Sequence, residues 1–308
     1  MSAPTVSIVL PVYNRAQQAP GAIESLLAQS FSDFELIIVD DGSDQETADV
    51  LRAFPPRDAR IRLLTLPSNG GQGLARALGN DAARGEFIAV MDSDDVALPH
   101  RLEKQLAFMA AHPGVTLAGG NAIKVSGGQR QPMQLPADDA EIKARLLLLD
   151  GAFVHPTVIM RRAFLRAHNL NYSAERRGDD DYEFYTRMVA AGAVFANCPD
   201  TVLEYHRHGD NVSGNWHRLE QDKFPLRRYL LGLYYPDLTG REVNAIARLM
   251  QRGTSIARKP AFEGLLAAEK AQRMLESVYG EDHRKLNAIL ERYLTVLRKG
   301  LGVGEGRP

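Results

Sequence analysis

Short apolar runs alternate with amphipathic stretches in the N-terminal third of the chain. Four short apolar runs predict strands, and the first two of them are rich in Val, Ile and Leu without strict alternation, which is typical of strands buried on both faces of a parallel sheet. These runs occupy residues 6–10, 35–40, 60–66 and 86–91. Apolar residues at helical spacing fill the segments between and after them. The β-α-β-α-β-α-β order therefore predicts an α/β fold with a doubly wound, mostly parallel sheet.

Particular residues indicate where the helices of this region begin. Pro20 suits the first turn of one helix, and Pro99 suits the opening of another. Ser43 and Glu46 have the spacing of a capping box, which predicts a helix that starts near Asp44. The helix after the SNGGQG turn is predicted to bury one apolar stripe: Leu74, Ala75, Leu78 and Ala82.

The regular alternation ends near residue 115. Beyond it, strand and helix patterns mix: a strand pair or a strand with a turn at 115–125, a helix at 138–150, a strand and helix at 153–165, a helix at 180–191, and extended segments at 192–197 and 201–213. From residue 216 only helical spacing recurs, with one stripe formed by Leu286, Ile289, Leu290, Leu294 and Leu297. We expect an α/β domain at 1–215, with halves 1–114 and 115–215, and a helical region at 216–308.

Composition and charge exclude several classes of protein. The 308 residues carry a formal net charge of −1, which gives no global field that would favour nucleic acid. Cys198 is the single cysteine, so an internal disulfide is impossible and a thiolate zinc site is implausible. The sequence has no secretory signal pattern and no apolar run long enough to span a membrane. We expect a cytoplasmic protein that binds no nucleic acid.

Polar clusters follow three of the four predicted strands, at 11–15, 40–43 and 92–95. Ligands of open α/β sheets bind outside the carboxyl ends of the strands, so these clusters are expected to form one site. Asp92 and Asp94 can both reach one divalent cation, whose shell a nucleotide pyrophosphate would complete. The alternative for these aspartates is a solvated acidic turn ahead of the next helix.

The other polar clusters suggest further roles. Asp40 and Asp41 can accept hydrogen bonds from a base or ribose edge, or can lie near a helix N-terminus where carboxylates are favourable. Tyr13 can stack on a base or simply end a strand half-buried. Three aspartates at 179–181 open a predicted helix, where one of them can act as a general base or merely complement the helix dipole. A histidine in the HRH segment at 206–208 can bind a metal ion or a diphosphate.

These motifs together resemble a known family. PVYNR, VDDGS, GEFIAVMDSDD followed by ALPHRLEKQL, DDDYEFYTRM and EYHRHGDNVS occur in this order between residues 5 and 213. Their order and spacing are similar to those of the inverting glycosyltransferases of family 2, which have the GT-A fold. The chain departs from the family in having Asp180 where members carry glutamate, and Ala77 where many members carry asparagine.

The resemblance implies a role for each matching position. The nucleotide-sugar pocket would contain Pro11, Tyr13, Arg15, Asp40, Asp41, Asp92 and Ser93. Asp94 is the expected direct ligand of Mn²⁺ or Mg²⁺, with Asp92 beside it and His208 as a further ligand. Asp181 or its neighbour Asp180 would be the catalytic base, and His155 would lie near the acceptor.

The implied reaction transfers a sugar from a nucleoside diphosphate sugar, with UDP as the commonest nucleotide, to a hydroxyl of a saccharide, lipid-linked or other acceptor. Such a reaction belongs to polysaccharide or glycoconjugate synthesis. Two alternatives stay open: a sugar-phosphate nucleotidyltransferase, and a non-catalytic protein that binds nucleotide sugars. Peripheral contact with the inner face of a membrane, and a homodimer through the C-terminal helices, also stay open.

Overall fold

The computed structural model describes residues 3–148, 151–176, 178–207, 216–251 and 258–274, together with residues 286–288, 291, 294, 295, 298 and 299. The chain divides into two compact units. The first contains Met1–Ala137 and Phe153–Gly214, and the second contains Asp138–Ala152 and Asn215–Pro308. The sequence-based boundary at 215 assigned the segment 138–152 to the α/β domain, whereas in the structure it belongs to the second unit.

The first unit is a mixed α/β structure. Its strands are β1 (Val6–Val12), β2 (Phe34–Asp40), β3 (Ile61–Thr65), β4 (Phe87–Val90), β5 (Val96–Ala97), β6 (Leu117–Ser126), β7 (Gln129–Met133), β8 (Ile159–Arg161) and β9 (Phe195–His206). Its helices are α1 (Ala19–Leu27), α2 (Gln45–Arg52), α3 (Gln72–Ala82), α4 (Arg101–Ala111), α6 (Arg162–Ala167) and α7 (Asp180–Ala190), with a 3-10 turn at His155–Thr157. The intervening helix α5 (Asp139–Leu148) lies in the second unit.

One sheet runs through the first unit in the order β3-β2-β1-β4-β8-β6-β9-β5, and β7 pairs with β6 at the side. Strands β1 to β4 are parallel to one another, as the unbroken apolar runs predict. The antiparallel strand β8 then joins β4 to β6. The predicted α/β class is confirmed. The sheet, which was predicted to be mostly parallel, is mixed: β1 to β4 and the pair β6–β9 are parallel, whereas β5, β7 and β8 pair antiparallel. The segment at 115–125, for which a strand pair was also considered, forms the single long strand β6.

The core of the first unit follows from the strand pattern. Ile8 and Leu10 on β1 are fully buried, and Ile23 and Leu26 on α1 are buried in the same cluster. Burial of each such side chain contributes roughly 1.5–3 kcal/mol. The capping prediction for α2 was wrong in one detail: Asp44 caps the helix by accepting from the Thr47 amide at 2.8 Å.

The second unit is helical. It contains α5, α8 (Trp216–Tyr234), α9 (Gly240–Leu249) and α10 (Arg258–Gln272). Thr239 and Glu242 form a complete capping box at the start of α9. Of the predicted C-terminal stripe, Leu286 and Leu294 are buried, whereas Ile289, Leu290 and Leu297 lie outside the described residues. Across the part of the chain that the structure describes, no helix combines the length and apolarity that a membrane span requires.

Candidate active site

The strand pairing brings the three predicted polar clusters to one edge of the sheet. Val12 at the end of β1 pairs with Asp40 at the end of β2. The Asp41 amide donates to the Val12 carbonyl at 2.8 Å, and the Met91 amide donates to the Val9 carbonyl at 3.1 Å. The segments that follow β1, β2 and β4 therefore start side by side, as the parallel order predicts.

The two aspartates that follow β2 organise the neighbouring loops. Asp40 is buried, and its Oδ1 accepts from the Ser43 amide at 2.9 Å. Asp41 is buried too, and its carboxylate accepts from the amides of Gly70 and Gly71 at 2.7 and 2.9 Å and from Asn69 Nδ2 at 3.1 Å. The glycine-rich turn at 68–73 is therefore held against the end of β2 by one carboxylate. Because a carboxylate offers about four acceptor positions, these contacts leave capacity for a further donor.

The segment after β1 combines buried and exposed residues. Pro11 is buried at the end of the strand, while Arg15 is half-buried. Tyr13 is 45% exposed, which is unusual for a large aromatic side chain. Asn14 adopts the left-handed conformation with a φ of 51°, and its side chain accepts from the Asp44 amide at 2.8 Å. The turn thus presents the ring of Tyr13 at the rim while its backbone is fixed to α2.

The acidic segment after β4 contains carboxylates in different environments. Asp92 keeps 24% of its side chain exposed and accepts from Arg76 Nη2 at 2.8 Å. Ser93 is buried, and Asp94 is half-buried. Asp95 is buried and accepts from the His206 amide at 2.7 Å. Burial and the nearby negative charge of Asp92 raise the pKa of Asp95 to about 9, so it is neutral at pH 7.

Arg76 connects this segment to α7, and the sequence analysis missed it. Its guanidinium is 3% exposed, with Nη1 donating to Asp180 at 2.6 Å and Nη2 to Asp92. Burial opposes the charge, but the carboxylates of Asp180 and Asp92 outweigh that effect and raise the pKa of Arg76 well above its usual range. The predicted apolar stripe of α3 is rotated accordingly: Arg76 lies on the buried face, while Leu74 and Leu78 are only half-buried.

Small residues on α3 make this position of Arg76 possible. A side chain at Gly79 would begin 2.3 Å from Val9 Cγ1, so the glycine lets α3 pack closely on β1. A side chain at Gly73 would begin 2.4 Å from the Ser173 carbonyl oxygen, next to the start of α7. The two glycines could have indicated close packing on this face of α3, but no local pattern indicated that Arg76 is buried there.

The three aspartates at the start of α7 have distinct partners. Asp179 is buried and paired with Arg176 at 2.7 Å. Asp180 is 2% exposed and paired with Arg76. Asp181 is half-buried, its Oδ1 accepts from the Tyr182 amide at 2.7 Å, and within the described residues it forms no ion pair. Two of the three carboxylates are therefore paired with arginines, whereas the half-buried Asp181 is the accessible member of the three.

His155 lies behind this cluster. Its ring is 9% exposed, with Nδ1 2.6 Å from the Tyr185 hydroxyl and Nε2 3.4 Å from the Tyr172 hydroxyl. Burial, assisted by the charge of Arg76, lowers the pKa of His155 to about 3, which keeps the ring neutral. Both ring nitrogens face tyrosine hydroxyls, so His155 supports the wall of the site and does not present a nitrogen to an open surface.

The candidate metal ligands are only partly described. Asp92 and Asp94 follow β4 together, while His208 lies outside the described residues. In the described part of the chain, no three His, Cys, Asp or Glu side chains are grouped so that they could hold a metal ion. Two carboxylates with substrate phosphates are nevertheless a donor set that Mg²⁺ uses, so the residues present fit a divalent cation that binds together with a nucleotide.

Comparison with known proteins agrees with this geometry. Residues 7–168 match the family described as Glycosyl transferase family 2. The succinoglycan biosynthesis protein ExoO of Rhizobium meliloti is 33% identical over 223 residues, which cover 68% of this chain and 63% of that protein.

Solved structures show the same fold. S. aureus TarS 1–349 in complex with UDP-GlcNAc superposes with a TM-score of 0.64 and 17% identity, covering 96% of this chain and 92% of that chain. The mannosyltransferase PcManGT from Pyrobaculum calidifontis, in complex with GDP-Man and Mn²⁺, gives a TM-score of 0.56 and 16% identity, covering 98% of this chain and 88% of that chain. The family match spans more than half of the chain and includes the three polar clusters at the sheet edge, so this chain belongs to the glycosyltransferases of family 2, with the GT-A fold.

Proposed function

We propose that this protein is an inverting glycosyltransferase that moves a sugar from a nucleoside diphosphate sugar to a hydroxyl group of an acceptor. The observation that carries the proposal is that some of the acidic residues are paired with an arginine while another stays accessible. Arg76 neutralises Asp180 and, on the side of the β4 turn, Asp92. Asp181 retains an accessible carboxylate beside them, in a position suited to a general base.

The nucleotide would bind along the ends of β1 and β2. The exposed ring of Tyr13 offers a stacking surface for a base, and Asp41 offers a carboxylate that is already fixed by two backbone amides. Asp40 shapes the same turn, while Pro11, Arg15 and Ser93 complete the proposed pocket. UDP is the proposed nucleotide, because UDP-GlcNAc is bound to a protein of the same fold.

The diphosphate would lie over the turn after β4. Asp94, with Asp92 beside it, would hold Mn²⁺ or Mg²⁺. A divalent cation in this position supplies charge neutralisation to the diphosphate as it leaves the sugar. Asp92 already forms an ion pair with Arg76, so we assign the direct contact with the cation to Asp94.

The chemical step follows from the position of Asp181. The Asp181 carboxylate takes the proton of the acceptor hydroxyl while that oxygen attacks the anomeric carbon. The bond from the anomeric carbon to the diphosphate oxygen breaks, and the nucleoside diphosphate leaves with the electron pair. Attack from the face opposite the leaving group inverts the anomeric configuration, so an α-linked donor gives a β-linked product.

The acceptor is proposed to be a saccharide or a lipid-linked saccharide, because a relative that is 33% identical is named for succinoglycan biosynthesis. His155 would act on the acceptor side by holding Tyr172 and Tyr185 in place. Peripheral membrane contact and dimerisation through the helical unit are compatible with such an acceptor.

A donor screen tests this function. Purified protein is incubated with UDP-, GDP- and dTDP-sugars, with and without MnCl₂, and released nucleoside diphosphate is measured. We expect release from one class of donor that requires the metal, and binding of that donor by Asp181→Asn with loss of transfer of about 10²–10⁴-fold. Asp49→Asn, on the exposed face of α2, serves as the matched control.

Other outcomes would identify the alternatives. Release of pyrophosphate would indicate a nucleotidyltransferase. Absence of binding to every nucleotide sugar, measured by calorimetry with Mn²⁺, would indicate a protein without this function. Turnover by Asp181→Asn at the wild-type rate would remove Asp181 from the mechanism.

A further inference from the structure

A single buried guanidinium joins the two sides of the candidate active site. Arg76 donates to Asp92, which follows β4, and to Asp180, the first residue of α7. The two N–O distances are 2.8 and 2.6 Å, so both contacts have full hydrogen-bond geometry. The planar fork of arginine presents two separate nitrogens to the two carboxylates, whereas a lysine would present a single nitrogen with its charge at one point.

The surroundings of Arg76 hold it in one orientation. The guanidinium carbon lies 5.9 Å from the centre of the Tyr172 ring. Tyr172 stacks on Phe184 with ring centres 4.2 Å apart, and its hydroxyl faces His155. Arg76, the aromatic residues and the start of α7 therefore form one packed unit, so a displacement of Asp180 has to move Arg76 or break its ion pair.

The energetics argue against a purely stabilising role for Arg76. Replacement of buried ion pairs by apolar residues is often neutral or stabilising, since desolvation costs offset the attraction. The Nε–H of Arg76 is buried and has no hydrogen-bond partner within the described residues, which adds to the cost. A position occupied at such a cost, directly between two proposed functional segments, suggests a role in arranging them.

We propose that Arg76 is a positioning residue that couples the donor side of the site to the acceptor side. Through Asp92 it fixes the turn that carries Asp94, and through Asp180 it fixes the first turn of α7, which carries Asp181. Binding of a nucleotide and cation over the β4 turn is thereby transmitted to the position of the base. The assignment of Asp94 and Asp181 rests on the proposed function, whereas the coupling itself rests on the two ion pairs.

Two variants separate positioning from charge compensation. Arg76→Lys keeps the charge but presents a single nitrogen in place of the two that contact Asp180 and Asp92. The double variant Arg76→Met with Asp180→Asn removes the cation together with the fully buried carboxylate, and it leaves Asp92, which is partly solvated. The matched control is Arg52→Lys, an exposed arginine of α2 that is paired with Asp49.

Hydrogen exchange measures the coupling without turnover. In the wild type, UDP with MnCl₂ should slow exchange at residues 92–97 and also at 180–190. In the double variant the same probe should protect 92–97 alone, and without ligand both segments should exchange at least about threefold faster than in the wild type. Residues 34–40 of β2 serve as an internal reference that should not change.

Steady-state kinetics provides the second readout. A misplacement of about 1 Å at the base costs about 10²-fold, so both variants should lose about that factor in kcat with the donor KM changed by less than about threefold. The proposal would be overturned if the ligand protects both segments in the double variant. It would also be overturned if Arg76→Lys has the same kcat as Arg52→Lys. If UDP, GDP and dTDP, each with MnCl₂, all fail to protect wild-type residues 92–97, the proposed function fails. Equal exchange of the ligand-free proteins would reject the coupling separately.

Discussion

Gly73→Ala should disturb the site through packing alone, because Gly73 lies where α3 meets the start of α7. A Cβ atom there would lie 2.4 Å from the Ser173 carbonyl oxygen, 3.0 Å from the Arg176 carbonyl oxygen and 3.3 Å from Asp180 Cβ. Ordinary contacts begin at 3.4 Å, so the two backbones have to separate by about 1 Å. The two nearest atoms are backbone atoms, so a change of rotamer cannot relieve the overlap.

The expected change in stability is a difference of two effects. Overpacking of this kind costs about 1–3 kcal/mol, while alanine in place of a helical glycine gains about 0.4–1 kcal/mol. Gly73→Ala should therefore lower the free energy of unfolding by about 1 kcal/mol. Gly21→Ala is the matched control: Gly21 lies in the first turn of α1, and a Cβ atom added to it would have no other atom within 4 Å. That variant should gain about 0.4–1 kcal/mol.

Urea unfolding followed by circular dichroism compares the two variants. With a dependence on urea of about 2 kcal/mol per molar, their midpoints should differ by about 1 M, with Gly73→Ala lower. Because the overlap pushes on Asp180, kcat of Gly73→Ala should also fall by about 10²-fold, while Gly21→Ala should keep the wild-type rate. Coincident midpoints would refute the packing argument. A lower midpoint with unchanged kcat would show that this contact does not set the position of α7.

Two further predictions concern buried titratable groups. Burial lowers the pKa of His155 to about 3, against 6.5 in the unfolded chain. Below pH 6.5 the unfolded state therefore binds a proton that the folded state does not, and the free energy of unfolding decreases as the pH falls. Between pH 7 and 5 the wild type should lose about 2 kcal/mol more than His155→Gln, and equal losses in urea titrations would contradict this. Burial and Asp92 raise the pKa of Asp95 to about 9, so Asp95→Asn should retain the wild-type melting temperature at pH 7. Asp95→Ala, which cannot accept from the His206 amide, should lose about 1–3 kcal/mol, and equal melting temperatures of the two variants would show that this acceptor is not needed.

The sheet and its polar edge could be predicted from the sequence because both depend on local patterns. Unbroken apolar runs indicate strands that are buried on both faces, and the β-α alternation fixes their parallel order. Once the order is known, the segments after β1, β2 and β4 have to start at the same edge. The structure confirms this arrangement through the pairing of Val12 with Asp40 and of Val9 with Val90.

Choices between chemically similar neighbours could not be predicted in this way. Ser43 and Asp44 are both good N-caps, and the sequence favoured Ser43 because of its spacing to Glu46. In the structure Ser43 Oγ accepts from the Asn14 amide at 3.1 Å, so it serves the turn after β1. Asp44 is left to cap α2. The Asn14 amide, which takes Ser43 Oγ away from the helix, lies 29 residues away in the sequence. No pattern around Ser43 could therefore indicate this contact.

The two acidic clusters also contain neighbouring residues that the sequence cannot distinguish. In the structure, a single arginine from elsewhere in the chain contacts one member of each pair. The sequence presents Asp92 beside Asp94 and Asp180 beside Asp181 as chemically equal pairs. Arg76 is 104 residues from Asp180, yet its ion pairs distinguish the members of each pair. Asp92 and Asp180 are engaged by the guanidinium, and we propose that the half-buried Asp94 and Asp181 face the substrates. The proposed roles of Asp94 and Asp181 therefore depend on contacts that their neighbours make with an arginine 16 and 104 residues away, which no pattern around either acidic cluster could indicate.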